Sequence, residues 1–242
     1  MTHKIKVNII LGIILATFIA IMLRDPIIQN NEYHNFADDR AFLGINNFGD
    51  VFSNIVFIFT GFFGLITLKN TKPHIASLSW TVFFVGVILV APGSAWYHWN
   101  PNNSSLVWDR LPMTIAFMGL FTAMISTFIS QRYERILLPV TILFGLSSVL
   151  LWDISGDLRL YYFVQIVPLV VIPTVIILFK SSDIKSKYLI FALLFYVLAK
   201  AVEFNDRDIF TLTNDIISGH TLKHLSAAVA PLILGCMLKK KI

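Results

Sequence analysis

Eight long runs of apolar residues dominate the sequence, and they constrain the fold more than any other feature. A helix needs about 20 mostly apolar residues to cross the hydrocarbon core of a bilayer. Inside that core every backbone polar group must pair within the protein, so continuous apolar runs predict helices rather than strands. The runs cover residues 5–23, 48–68, 75–98, 106–130, 136–152, 161–179, 187–202 and 219–238. We therefore predict an all-α, polytopic helix bundle that is integral to a membrane.

The composition of the 242-residue chain agrees with a membrane bundle. Hydrophobic residues make up 56% of the chain and charged residues 14%, whereas charged residues are about 25% of average soluble domains. A soluble domain of this size could not bury so much apolar surface, and a disordered chain would be far more polar. We expect a single transmembrane domain over residues 1–242. The lone cysteine, Cys236, excludes an intrachain disulfide and a cysteine-based metal cluster.

The first apolar run admits two interpretations. Lys4 and Lys6 precede it, as basic residues precede the apolar part of a secretory signal peptide. The run is long for a signal peptide, however, and Arg24, Asp25 and Pro26 follow it where a small-residue cleavage site would be needed. We therefore expect residues 5–23 to form an uncleaved helix.

The unequal distribution of lysine and arginine predicts the orientation in the membrane. With the N-terminus in the cytoplasm, the cytoplasmic side carries twelve basic residues: Lys4, Lys6, Lys69, Lys72, Arg132, Arg135, Lys180, Lys185, Lys187, Lys239, Lys240 and Lys241. The opposite side carries four: Arg24, Arg40, Arg159 and Arg207. Cytoplasmic loops are enriched in basic residues, so both termini are predicted to be cytoplasmic. The same pattern accounts for the net charge of +5 without nucleic-acid binding.

Polar side chains gather at one end of the predicted bundle. Twelve of the fourteen acidic residues, and every histidine except His3 and His74, lie on the predicted outer side. The long connections, residues 24–47 and 203–218, are on that side too. Residues 33–40 mix aromatic and charged side chains, which predicts an ordered cap.

Two adjacent helix ends carry residue types that are used in hydrolysis. Ser94 and His98 are four residues apart at the end of the third run, so they share one helix face. Asp109 opens the fourth run after a short connection, which predicts that it lies close to His98. Asp109 also has a simpler interpretation, in which it pairs with Arg110 or stabilises the start of a helix.

A pair of histidines opens the last run. His220 and His224 are one helical turn apart, a spacing that suits bidentate binding of zinc. This spacing alone is a weak signal, but His98 lies at the same predicted end of the bundle. Three histidines and one open position are typical of a catalytic zinc, and imidazole suits zinc where no thiolate set exists.

Two charged residues near the last runs have simple interpretations. Lys223 is expected to extend its ammonium group to lipid headgroups, where it could meet a phosphate. Glu203 is expected to begin an outer loop, although it could instead contact a histidine of the site.

Taken together, these motifs resemble the CREST superfamily of membrane hydrolases, which includes the alkaline ceramidases and the adiponectin-type receptors. Ser53-Asn54, residues 93–113 and residues 218–225 are most similar to the alkaline ceramidases in their bacterial form. The resemblance extends from about residue 33 to the C-terminus. It implies a seven-helix core over residues 33–242, with the helix at 5–23 as an addition, in a bacterial cell membrane.

The resemblance also implies a reaction, the hydrolysis of the amide bond of a ceramide-type or other long-chain N-acyl lipid with the help of zinc. His98, His220 and His224 match the zinc ligands of the family. Asp109 matches the carboxylate that acts as acid and base, and Ser94 matches the serine beside the metal. The implied partners are the lipid substrate and the bilayer, and the implied site faces the outer side.

Alkaline ceramidases bind calcium as well, through acidic residues ahead of the first core helix. Asp38, Asp39 and Asp50 could supply oxygen ligands. Asn47 stands where the family pattern has a glutamate, so the chain departs from the pattern and calcium is an open prediction.

Other functions compete with the hydrolase hypothesis. A seven-helix receptor could keep the zinc for structure alone, because the superfamily includes receptors and a fold does not determine function. A transporter would need discontinuous helices in two matching halves, and the sequence has no such repeat. Turnover would distinguish an enzyme from a receptor, and the presence of Asp109 and Ser94 favours an enzyme.

Overall fold

The computed structural model describes residues 1–71, 75–181 and 184–239, and almost all regular structure in them is helical. The α-helices of these ranges are α1 (His3–Met22), α2 (Phe48–Ser53), α3 (Ile55–Asn70), α4 (Ser77–Trp99), α5 (Asn103–Phe128), α6 (Glu134–Ser155), α7 (Arg159–Leu178), α8 (Ser186–Phe204), α9 (Asp206–Leu212) and α10 (Gly219–Lys239). Short 3₁₀ helices cover Asn31–His34 and Gln131–Tyr133. Extended pairing among the described residues is limited to two isolated bridges, Ile28 with Asp157 and Phe42 with Ile45.

Seven helical segments of the described chain are long and apolar enough to cross a membrane. They are α1, the consecutive pair α2 and α3, α4, α5, α6 with the turn before it, α7 and α10. The predicted all-α polytopic bundle is thus confirmed.

The predicted run at 187–202 belongs to a bent element. Helices α8 and α9 qualify as a span only when they are taken together, across a bend of 79°. Helix α8 alone carries three charged residues, Lys187, Lys200 and Glu203, among its apolar ones. The connection expected at residues 203–218 therefore contains a helix, α9, instead of an extended loop.

The helices form two compact units, and α4 and α5 contribute to both. The first unit contains residues 1–29, 75–83, 114–181 and 184. The second contains residues 30–71, 84–113 and 185–239.

In the first unit, α1 packs against α7, and α7 packs against α6. The turn between α6 and α7 holds the segment that follows α1. Asp157 accepts hydrogen bonds from the backbone N–H of Ile27 and from the Arg159 side chain. Arg159 in turn donates to the carbonyl groups of Met22 and Arg24. The first helix is therefore fastened to the rest of its unit by charge-assisted hydrogen bonds at one end.

In the second unit, α10 packs against α2, α3, α8 and α9. Small residues permit the closest approach: a Cβ atom on Gly235 would lie 2.9 Å from the ring of Phe63 on α3. Helix α10 carries His220 and His224, so the packing of this unit determines what surrounds the two histidines.

Candidate metal centre

Three buried histidines converge in the second unit. His98 lies in the last turn of α4, while His220 and His224 lie in the first turns of α10. The Nε2 atoms of His98 and His220 are 3.2 Å apart, and one ring nitrogen from each of the three residues lies within 4.8 Å of the others. Among the described residues this is the one group of three or more histidine, cysteine or acidic side chains that could hold a metal ion. The structure thus brings together the residues that the sequence suggested.

The second nitrogen of His224 is held by Ser53. The Ser53 hydroxyl donates to the backbone carbonyl of Asp50 at 3.1 Å, and its oxygen lies 2.7 Å from Nδ1 of His224. With its proton committed to the carbonyl, the serine oxygen accepts from Nδ1–H, which leaves the lone pair on Nε2. That Nε2 atom is buried and has no hydrogen-bond partner among the described residues. A ring nitrogen with a free lone pair that faces two other imidazoles is what a metal ligand requires.

The approach of α4 to α5 places Ser94 beside Asp109. A Cβ atom on Gly93 would lie 2.2 Å from the backbone oxygen of Trp108, so only glycine allows the two helices to come this close. Ser94 and Asp109 are both buried, and their side chains are joined by a hydrogen bond. The structure therefore joins Asp109 to Ser94 at the end of α4, whereas the sequence predicted Asp109 close to His98.

The start of α10 is fixed by a cap and by carboxylates. Ser218 accepts a hydrogen bond from the backbone N–H of Thr221 at 2.9 Å, as serine does at many helix starts. Asp206 accepts from the backbone N–H of His220 at 2.7 Å, and Asp50 accepts from the hydroxyls of Ser218 and Thr221. Two N–H groups of the first turn, those of His220 and Thr221, therefore have side-chain acceptors.

Residues 33–40, which we call the cap segment, contact the histidines directly. The ring of Phe36 meets His98 and His220 edge to face, with centroid distances of 4.7 and 4.6 Å. The ordered cap that the sequence predicted is thus built around one aromatic side chain. The contact of Phe36 with the histidines was not predicted, because nothing in the local pattern indicates where this ring points.

The cap segment is tied to the second unit at several points. The N–H of Ala37 donates to Asp206, the carboxylate that also binds the start of α10. Arg40 binds both oxygens of Asp38 and donates to the backbone carbonyls of Asp215 and Ile216. The bond to Asp38 raises the pKa of the Arg40 guanidinium, so Arg40 stays charged.

A partly buried ion pair lies beside the histidines. The Lys223 ammonium is 3.0 Å from Oε1 of Glu203 and 3.2 Å from Nε2 of His220. Oε2 of Glu203 is 2.6 Å from the ammonium of Lys200, which is half exposed. The structure therefore directs Lys223 to Glu203 and to the histidines rather than to headgroups. Its position three residues after His220, in an otherwise apolar run, was the only sequence signal for this.

The four residues considered for calcium do not form a common oxygen site. Asp38 is bound by Arg40, Asp39 is exposed, and the amide N–H of Asn47 donates to the carbonyl of His98 at 2.7 Å. Asp50 keeps one buried oxygen without a partner among the described residues. Calcium takes six to eight oxygens, so a single free oxygen does not suit it. Calcium binding stays a prediction without support from the described side chains.

The fold and the site together define an integral membrane helix bundle with a buried triple-histidine centre. The family model described as Ceramidase matches residues 44–230, well over half of the chain. The chain belongs to the ceramidase family, which confirms the resemblance drawn from its motifs and indicates an amide hydrolase. In a comparison with curated proteins, nothing matches.

Proposed function

We propose that this protein is a zinc-dependent hydrolase that cleaves the amide bond of a ceramide-type or other long-chain N-acyl lipid within the membrane. The observation that carries the proposal is the buried convergence of His98, His220 and His224 in a chain of the ceramidase family. Each of the three histidines is almost completely buried. Burial of three imidazoles is costly unless their nitrogens have partners, and a shared metal ion would supply them.

Zinc is the metal that this set of ligands suits best. The site offers imidazole nitrogens, and the chain has a single cysteine, Cys236, which lies in another part of α10. Imidazole ligands suit zinc, and three protein ligands leave one position open for chemistry. A zinc ion held here would lower the pKa of a bound water and so supply a nucleophile at neutral pH.

Asp109 is the side chain that would move the proton. It is buried next to Ser94, and it is not one of the three groups that would bind the metal. A carboxylate in this position can accept a proton from the attacking water and deliver it to the departing amine. Ser94, through its hydrogen bond to Asp109, would keep the carboxylate oriented for that transfer.

The substrate would reach the site as a membrane lipid. The histidines lie in α4 and α10, both of which are apolar enough to cross a bilayer. A site within such helices favours a substrate that already resides in the membrane. The preference for an amide over an ester rests on membership of the ceramidase family, since a zinc-activated water can attack either carbonyl.

The test combines metal analysis with a lipid-hydrolysis screen of three purified proteins, the wild type, His220→Ala and Asp109→Asn. We expect about one zinc per wild-type chain, loss of zinc in His220→Ala, and full zinc in Asp109→Asn. Release of fatty acid from ceramide, from an N-acyl-ethanolamine and from a matched ester is then followed for each protein. Asp109→Asn should lose about 10²–10⁴-fold in kcat, and more on amides than on the ester, because an amine leaves poorly without a proton.

Two outcomes would contradict the proposal. Equal zinc in the wild type and in His220→Ala would remove the metal assignment. Zinc-replete wild-type protein that cleaves none of the three lipids would favour the receptor alternative, in which the metal serves structure alone.

A further inference from the structure

Lys223 occupies an unusual position for a basic residue. Its ammonium lies 3.2 Å from Nε2 of His220, one of the three histidines proposed above to hold a metal ion. Both Lys223 and Glu203 are largely enclosed, with side chains 16% and 17% exposed. Two charges are brought out of water at a considerable cost that only good geometry offsets. Because this ion pair lies beside the three histidines despite that cost, we expect it to have a role in the chemistry of the site.

The donor capacity of the ammonium group suggests what that role is. An ammonium has three N–H bonds, and the structure shows one partner in Oε1 of Glu203 and a second in Nε2 of His220. A ring nitrogen cannot accept a hydrogen bond with the same lone pair that binds a metal ion. A metal ion held by the histidines would therefore free one N–H of Lys223, and Glu203 would keep the ammonium in place.

Ser94 is less well placed to serve as a donor to substrate. Its side chain is hydrogen-bonded to Asp109, and a hydroxyl has only one proton to donate. Lys223 lies within electrostatic reach of the same Asp109 and of all three histidines. Of these two side chains, only Lys223 combines a full positive charge with a donor that metal binding would free.

We propose that Lys223 binds the carbonyl oxygen of the scissile amide as that oxygen gains negative charge, and that Glu203 positions the ammonium for it. This inference rests on the proposed hydrolysis. As the water oxygen bonds to the carbonyl carbon, its proton passes to Asp109 and the C=O electron pair moves onto the oxygen that faces Lys223. When that pair re-forms the double bond, the C–N bond breaks, and the proton on Asp109 passes to the nitrogen. The products are a fatty acid and an amine.

The kinetic test compares Lys223→Met with Lys200→Met, both in zinc-replete form. Lys200 is the matched control, because it pairs with the other oxygen of Glu203 but is half exposed. Loss of a preorganised donor to an oxyanion costs about 10²–10³-fold in kcat, with little change in KM, since the charge develops only in the transition state. We expect this loss in Lys223→Met and an almost unchanged rate in Lys200→Met. Lys223→Arg should recover part of the rate.

A binding test does not depend on turnover. Dodecanoate carries a negatively charged head, whereas dodecanol has the same chain and a neutral one. In calorimetric titrations of the zinc-loaded proteins in detergent, Lys223→Met should bind dodecanoate at least about tenfold more weakly than the wild type, because the loss of a hydrogen bond to a charged group is worth about 1.5–3 kcal/mol. Its affinity for dodecanol should be unchanged, as should both affinities in Lys200→Met.

The inference fails if zinc-replete Lys223→Met keeps the wild-type affinity for dodecanoate, or if both lysine variants lose it equally. Loss of zinc in Lys223→Met would also overturn it, since the lysine would then support the histidines. Should Lys223→Met not fold, Lys223→Gln retains a neutral donor and is put through the same comparison, with the same loss expected. If the wild type hydrolyses no lipid, the proposed function fails, but the dodecanoate comparison still decides whether Lys223 binds a lipid anion.

Discussion

The Ser53 hydroxyl determines which nitrogen of His224 faces the other two histidines. It donates to the carbonyl of Asp50 and accepts from Nδ1–H of His224, so the lone pair is left on Nε2. Groups that hold the far nitrogen of a metal-binding histidine fix both its tautomer and its ring orientation. We therefore expect Ser53 to contribute to metal affinity without touching the metal.

Replacement of Ser53 by alanine tests that contribution. We expect Ser53→Ala to fold and to bind zinc about 10–100-fold more weakly, the usual effect of removing such a supporting group. Competition with a chromophoric zinc chelator measures the affinity. Ser148→Ala is the control, because Ser148 is also buried and also donates to a carbonyl of its own helix, but this bond involves no histidine. Equal affinities in Ser53→Ala and the wild type would show that Ser53 does not orient His224.

Among the structural elements, the cap segment has a role that the packing of the helices does not explain. Phe36 covers two of the three histidines, and the segment is fastened through Asp206 and Arg40. The same Asp206 binds the first turn of α10. The Asp206 carboxylate therefore binds both the cap segment and α10, and this keeps Phe36 next to the histidines.

Phe36→Ala should release zinc to a chelator faster than the wild type does. An edge-to-face contact is worth about 1 kcal/mol, so the loss of two corresponds to a rate increase of about tenfold or more. The rate is followed by absorbance after mixing zinc-loaded protein with excess chelator. Phe42→Ala is the control, since Phe42 is exposed and its ring meets Phe48 instead. An unchanged rate in Phe36→Ala would mean that the ring does not shield the metal.

The turn between α6 and α7 predicts a dependence of stability on pH. The hydrogen bond from Arg159, and then those from the backbone N–H groups of Arg159 and Ile27, lower the pKa of Asp157 below its ordinary value of 3.8. Because the folded-state pKa is depressed, the stabilisation is complete above the ordinary pKa and is lost as the pH falls through the lower, folded value.

Thermal unfolding in detergent between pH 6 and acid pH tests this expectation. The wild type should lose stability in the acid range, and Asp157→Asn, which lacks the ionisable group, should lose less there. Asp153→Asn alters an exposed carboxylate one turn earlier and should follow the wild type. Parallel curves for Asp157→Asn and the wild type would show that this carboxylate does not hold α1 in place through its charge.

For the whole molecule, the prediction that remains to be tested is orientation. The basic residues divide twelve to four between the two predicted sides, and such an asymmetry orients membrane proteins with the richer side in the cytoplasm. We expect reporters fused at Lys241 and within residues 102–105 to report opposite sides, with the second outside. Reporters on one common side, or Lys241 outside, would reverse the model of a site that faces away from the cytoplasm.

Much of the architecture followed from the sequence, because the requirements it reflects are local. The thickness of the bilayer demands about 20 apolar residues per span, whatever the rest of the chain does. Seven of the eight predicted runs are spans of this kind in the structure. The run at 187–202 is the exception, because α8 carries three charged residues and qualifies as a span only together with α9, across a bend of 79°.

The residues of the candidate site also differ in whether local sequence or tertiary packing determines their position. The spacing of His220 and His224 follows from 3.6 residues per turn. The short connection between α4 and α5 predicted that Asp109 lies near the end of α4, where the structure joins it to Ser94. The sequence did not predict the contacts between separate elements. These are the 3.2 Å approach of His98 to His220, the hydrogen bond between His224 and Ser53, the contact of Phe36 with the histidines, and the pairing of Lys223 with Glu203. These contacts join residues on separate elements, and they depend on the rotation, tilt and side-chain rotamers of packed helices. Only the tertiary structure determines those quantities, because they are set by how all the packed surfaces fit at once.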